Sequence, residues 1–101
     1  MVYVDNMNTP ARVGRFNAVW CHMFAYPFDD KKAILELHAM ARKIGLKREW
    51  FQDRDGFPHY DVTKQKRKAA VEAGAMEIDI KGLVELRKKA RHGCKQAEET
   101  A

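Results

Sequence analysis

Two glycines, each closing a helical pattern and followed at once by an apolar residue, constrain this chain more than any other feature. Gly45 ends a pattern whose inward stripe is Ala33, Ile34, Leu37, Met40, Ala41 and Ile44, and Leu46 follows it; Gly74 ends a shorter pattern over 64–73, and Ala75 follows it. Glycine at such a place takes the left-handed conformation that stops a helix, and the apolar residue beyond it folds back on the last turn. Asp29 or Asp30 can cap the first helix and Thr63 the second. Each joint then delivers the chain into an extended segment, 48–52 after the first and 76–78 after the second. Val2, Tyr3 and Val4 make an earlier strand, and Asp79 caps a last helix over 80–92, with Leu83, Val84, Leu86 and Ala90 at helical spacing and its end at Gly93.

Strands alternating with helices in 101 residues leave room for one core. The expectation is a single α/β domain over 1–93 with a polar tail over 94–101. Its three- or four-stranded, mainly parallel sheet carries about three helices in two or three layers. Hydrophobic residues at 46% and charged residues at 33% place the chain among folded domains rather than disordered ones. The apolar stretch 18–28 is broken by His22 and Pro27 and is far short of the roughly 20 residues of a membrane span. Whether its greater part, 18–26, is helix, strand or neither is open. The first residues lack the basic and apolar regions of a secretory signal, and Cys21 and Cys94 match no zinc or disulfide spacing, so a reducing cytoplasm is expected.

An ordered series runs through Val2-Tyr3-Val4-Asp5, Trp20-Cys21-His22-Met23, Glu36-Leu37-His38, Trp50-Phe51-Gln52 and His59-Tyr60-Asp61, followed by Lys66-Arg67 and Gly74-Ala75. It resembles, over roughly residues 2–80, the uncharacterised bacterial and phage family filed as domain of unknown function 4031. The resemblance implies no catalytic assignment, and its occurrence in phages is what brings an inhibitor role into view below.

The formal net charge is +5, and residues 64–91 alone hold nine Lys or Arg against four acids. Lys64, Lys66, Arg67 and Lys68 open a helix whose N-terminal dipole disfavours cations by about 0.3–1 kcal/mol each, a conflict that a bound phosphate would relieve. A solvated basic face partly offset by Asp61 is the plainer account. Arg12 and Arg15 flank Gly14 and can fork onto a phosphate, although neither a Walker loop nor a dinucleotide glycine fingerprint is present. An ATP-driven motor and a dinucleotide oxidoreductase are thereby excluded.

His59 and Asp61, read as lying in the loop over 53–62, pair a proton-exchanging ring with a carboxylate that can orient it or activate water. His22 and His38 would complete a metal or hydrolytic pocket if they converged there. Without HxH or HExxH spacing, though, separately hydrogen-bonded histidines are expected, with no metal and no cofactor. Phe57 and Tyr60 are the better candidates for stacking on bases, and Trp50 and Phe51 would alternate on a strand. No recognition motif for a nucleic-acid sequence is present.

Open α/β sheets bind ligands beyond the carboxyl ends of their strands. The expected site therefore gathers Asp5, Arg12, Arg15, His22, His38, Gln52, Tyr60, Lys64 and Arg67 around His59 and Asp61 as the catalytic pair. The function expected is binding of a phosphate-containing ligand, a nucleotide or a nucleic-acid backbone, with hydrolysis as its catalytic extension. The same basic surface also fits a non-enzymatic interaction or inhibitor protein, phage-encoded, acting on an acidic protein partner.

Overall fold

The computed structural model describes the backbone of residues 1–6, 9–13, 16–54 and 56–100, and the side chains of residues 1–6, 19–53 and 56–90. Strands β1 (Val2–Val4), β2 (Thr9–Val13) and β3 (Phe16–Ala25) precede helix α1 (Lys31–Lys43). A 3-10 turn (Arg48–Trp50) leads to β4 (Gln52–Arg54), β5 (Phe57–Thr63), α2 (Lys64–Glu72), β6 (Met76–Glu77) and α3 (Ile80–Thr100). The sheet order is β4-β5-β3-β1-β6, with β2 also paired to β3.

All three caps expected from the sequence form: Asp30 accepts from the Ala33 amide, Thr63 from the Lys66 amide and Asp79 from the Gly82 amide. Both glycine joints close alike. Leu46 donates to the Ala41 carbonyl at 2.8 Å and Ala75 to the Ala70 carbonyl at 2.9 Å, with φ of 87° at Gly45 and 111° at Gly74. Their destinations differ, since the first leads through the 3-10 turn to the edge strand β4 and the second to β6 at the opposite edge.

The mainly parallel sheet expected from the sequence is corrected. Among the described residues, only β1 and β6 run parallel, while β1–β3, β2–β3, β3–β5 and β4–β5 are antiparallel. Two residues separate β2 from β3, and two separate β4 from β5; connections so short can join only antiparallel neighbours. Residues 18–26, left open above, fall almost entirely in β3, the central strand. The strand expected over 48–52 is a 3-10 turn followed by β4, so Trp50 and Phe51 do not alternate on a strand. Residues 57–63, assigned to a loop and cap, form β5, and the last helix continues past Gly93.

Alternation in β1, β3 and β5 divides the core between two faces. Val2, Val4, Cys21, Met23, Ala25, Tyr60 and Val62 meet Ala33, Leu37, Ala41 and Ile44 of the α1 segment and Ala70 of α2. Phe24 and Phe57 meet Phe28 and Leu83 on the α3 side, with Tyr3, Ile78 and Leu86 packed around them. The result is a three-layer domain.

Candidate functional site

The α3 face of β3 and β5 carries the polar exception to this core. His22 lies directly opposite Asp61 in the ladder, and His59 lies opposite Phe24 and, on its other side, opposite Gln52. Side chains paired across antiparallel strands share a face, so His22, Gln52, His59 and Asp61 emerge together.

Asp5 joins them through a break in the pairing of β1 and β2 with β3. Val4 pairs with Met23 and Thr9 with Trp20, so the register advances by two residues between these pairs. At this step the Asp5 amide donates to the His22 carbonyl at 3.0 Å, as a ladder requires. The return bond is altered: the His22 amide donates to Asp5 Oδ1 at 2.9 Å, while the Asp5 carbonyl accepts from Arg67 Nε at 2.7 Å. Asp5 Oδ2 then accepts from His22 Nδ1 at 2.7 Å. Asp5 is fully buried, and this carboxylate holds His22 above the ordinary histidine value against the opposing effect of burial. Asp61 raises it further and Arg87 lowers it.

His59 is fixed in the same way by a different group. Its Nδ1 stands 2.7 Å from the Phe57 carbonyl, which can only accept, so that nitrogen carries the proton. Nε2 of His59 faces Asp61 Oδ1 at 3.5 Å, and Nε2 of His22 faces the same oxygen at 3.9 Å. Asp61 Oδ2 accepts from Gln52 Nε2 at 2.6 Å. The Asp61 carboxyl is held below its ordinary value, first by the His59 contact, with burial opposing and the Gln52 bond and the charges of His59 and His22 assisting. Asp61 is 41% exposed, which leaves the cluster open to solvent on one side.

Aromatic rings set the walls. Phe57 stacks on His59 at 4.6 Å between centroids, and His22 meets both rings edge-on at 5.5 and 5.0 Å. The guanidinium of Arg87 lies over Phe57, 4.8 Å from its centroid, and brings a cation to the rim.

The site expected from the sequence is thus gathered only in part. Asp5, His22, Gln52, His59 and Asp61 come together. His38 does not converge with them: it lies on the α1 side, its Nδ1 2.9 Å from the Tyr60 hydroxyl and its ring 4.6 Å from Phe51, because Tyr60 alternates away from its two neighbours. Tyr60 and Phe57, expected to stack on bases from a loop, are buried core residues at 1% and 6% exposure. Arg15, and the side chain of Arg12, lie outside the described residues.

Lys64 and Arg67 line a separate groove of about 530 Å³ with Asn6, Lys68, Val71 and Glu77. Arg67 is held there by Asp5 and by Glu77 at 2.9 Å. The groove and the histidine cluster meet at Asp5 and Asn6, the latter accepting from the Ile80 amide. Arg87 was not among the expected site residues and entered the sequence reading only as one of the nine basic residues of 64–91. The signal was its position four residues after Leu83, on the face that α3 turns to the sheet.

No described helix is long and apolar enough to cross a membrane. No curated protein and no solved structure matches the chain. A family model matches residues 2–90, a span that contains every residue of the cluster, and the chain belongs to that family, described as Protein of unknown function (DUF4031).

Proposed function

We propose that the domain binds a phosphate-bearing ligand, a nucleotide or a nucleic-acid backbone, and hydrolyses its phosphate ester on the α3 face. The observation that carries this reading is the convergence of His22 Nε2, His59 Nε2 and Asp61 Oδ1, beside the Arg87 guanidinium. Asp5 and the Phe57 carbonyl hold the two Nδ1 protons, so each ring, when neutral, offers its Nε2 lone pair on the side that faces Asp61 Oδ1. A water held there is oriented for attack, and Arg87 supplies a cation for phosphate oxygens. In the step itself the water oxygen forms the new P–O bond as the bond to the leaving oxygen breaks. The proton shed by the water and the one taken up by the leaving oxygen exchange with solvent on the open side, so the reaction balances as simple hydrolysis.

The test is a panel of a phosphomonoester, a phosphodiester, nucleoside triphosphates and a single-stranded oligonucleotide, assayed for turnover and thermal stabilisation with and without added divalent metals. Asp61→Ala should lower turnover about 10²–10⁴-fold while preserving the melting temperature within a few degrees. Arg87→Ala should chiefly raise KM. If no member of the panel is turned over or stabilises the fold, the hydrolase reading fails. Capture of an acidic protein by the Lys64 and Lys68 surface would then favour the interaction-protein alternative.

A further inference from the structure

We propose that His22, His59 and Asp61 form a binding site for one divalent transition-metal ion of the zinc type. This rests on the hydrolytic reading for its use, although the binding itself does not. One ligand atom from each residue lies within 4.8 Å of the other two. Zinc at about 2.0–2.1 Å from each tetrahedral ligand needs ligands about 3.3 Å apart. The 3.5 Å and 3.9 Å separations from Asp61 Oδ1 to the two Nε2 atoms are within a small side-chain adjustment of that spacing.

The stronger observation lies behind the ligands. Every ligating side chain is anchored through the atom it does not offer: His22 by the Asp5 carboxylate, His59 by the Phe57 carbonyl and Asp61 by the Gln52 amide. Metal-bound histidines are oriented in this way, by a carboxylate or a carbonyl on the other ring nitrogen. Separately satisfied structural histidines need no shared focus, yet the Nε2 atoms of both rings face the same carboxylate oxygen. Antiparallel strands fix the arrangement, with His22 and Asp61 as direct partners and His59 two residues from Asp61 along β5.

Two imidazoles and one carboxylate suit zinc, cobalt, manganese or ferrous iron, and not calcium or magnesium, which prefer all-oxygen shells. Three protein ligands leave a position for water, as catalytic sites do. Hydrolysis transfers no electrons, so the redox-inert member of the series is sufficient. The buried Asp5 carboxylate adds negative charge behind the site.

The experiment is calorimetric titration of untagged, chelator-stripped protein with Zn²⁺ and with Co²⁺, the latter also followed by its visible absorption. One saturable equivalent is expected. It should be lost in Asp61→Asn and in His59→Gln, both checked for folding by circular dichroism without metal, and weakened about 10–100-fold in Asp5→Asn. Absence of saturable binding, or binding unchanged in Asp61→Asn and His59→Gln, overturns the proposal. Turnover of the phosphate panel that survives chelation without metal binding would also overturn it while leaving the hydrolytic reading intact. Stoichiometric Zn²⁺ binding lost in those variants would uphold the site, even where no phosphate ester is cleaved and the hydrolytic reading fails.

Discussion

Neighbouring residues of β5 meet opposite fates. Tyr60 and Val62 enter the dry layer under α1 and α2, where the Tyr60 hydroxyl holds His38. His59 and Asp61, one step along the same strand, enter the α3 side and join His22 around a partly solvated cluster. The two histidine environments differ accordingly. His38 is lowered by burial and then by Arg48, whereas His22 is raised by a buried carboxylate. Burial alone therefore does not distinguish the two rings. The distinction lies in what each ring is fixed to and what its remaining nitrogen faces.

That contrast can be broken from either side. Leu37→Ala, at a fully buried position in the α1 layer, should cost about 2–5 kcal/mol in urea unfolding. The histidine cluster lies beyond the sheet, so the folded fraction should keep its ligand response. Loss of ligand response at temperatures where the variant is still folded would show that the two faces are coupled. Asp5→Ala should cost less, about 1–3 kcal/mol, because His22 keeps partial solvent access after losing its acceptor. Tyr60→Phe should cost about 0.5–1.5 kcal/mol and leave turnover unchanged, since it removes only the bond to His38. A turnover defect in that variant would place His38 in the function after all.

The smallest expected effect is in the pH dependence of stability, and here the faces should have opposite signs. His22 is raised by Asp5 and Asp61 and opposed by burial and Arg87. Its contribution is present below the unfolded value of about 6.5 and is lost as pH rises through the higher folded value. His38 is lowered, so its contribution is present above about 6.5 and is lost as pH falls through the lower folded value. Asp5→Asn should flatten the first slope and His38→Gln the second, read from melting temperatures in metal-free buffer between pH 5 and 8. Equal slopes in both variants would remove the electrostatic contrast between the faces.

Local signals carried the helices and their joints. Asp30, Thr63, Asp79, Gly45 and Gly74 act within a few residues of themselves, and each does what its chemistry predicts. β3 was illegible because Cys21, Met23 and Ala25 are buried on one face and Phe24 on the other, which erases the polar alternation of a half-exposed strand. Pro58 and Gly56 made β5 resemble a loop. His59 and Asp61 were recognisable as a pair in the sequence, but choosing His22 over His38 as their companion needs the cross-strand register, a long-range fact. Arg87 could not be singled out from Lys88, Lys89 and Arg91 beside it, because only the packing of α3 against the sheet turns it toward Phe57.

Asp5 has one more consequence. Its carboxylate stands in for the main-chain acceptor that would otherwise receive the His22 amide, and the same group selects which nitrogen of that ring is free. Chain assembly and chemical competence are thereby a single event. A molecule whose first strand has slipped by one residue would bring a different side chain to this place, leaving the ring without its guide. If the proposed hydrolysis holds, such a misfolded copy would be inert rather than wrongly active, and turnover of a preparation would report the fraction of chains whose N-terminal strand had docked correctly.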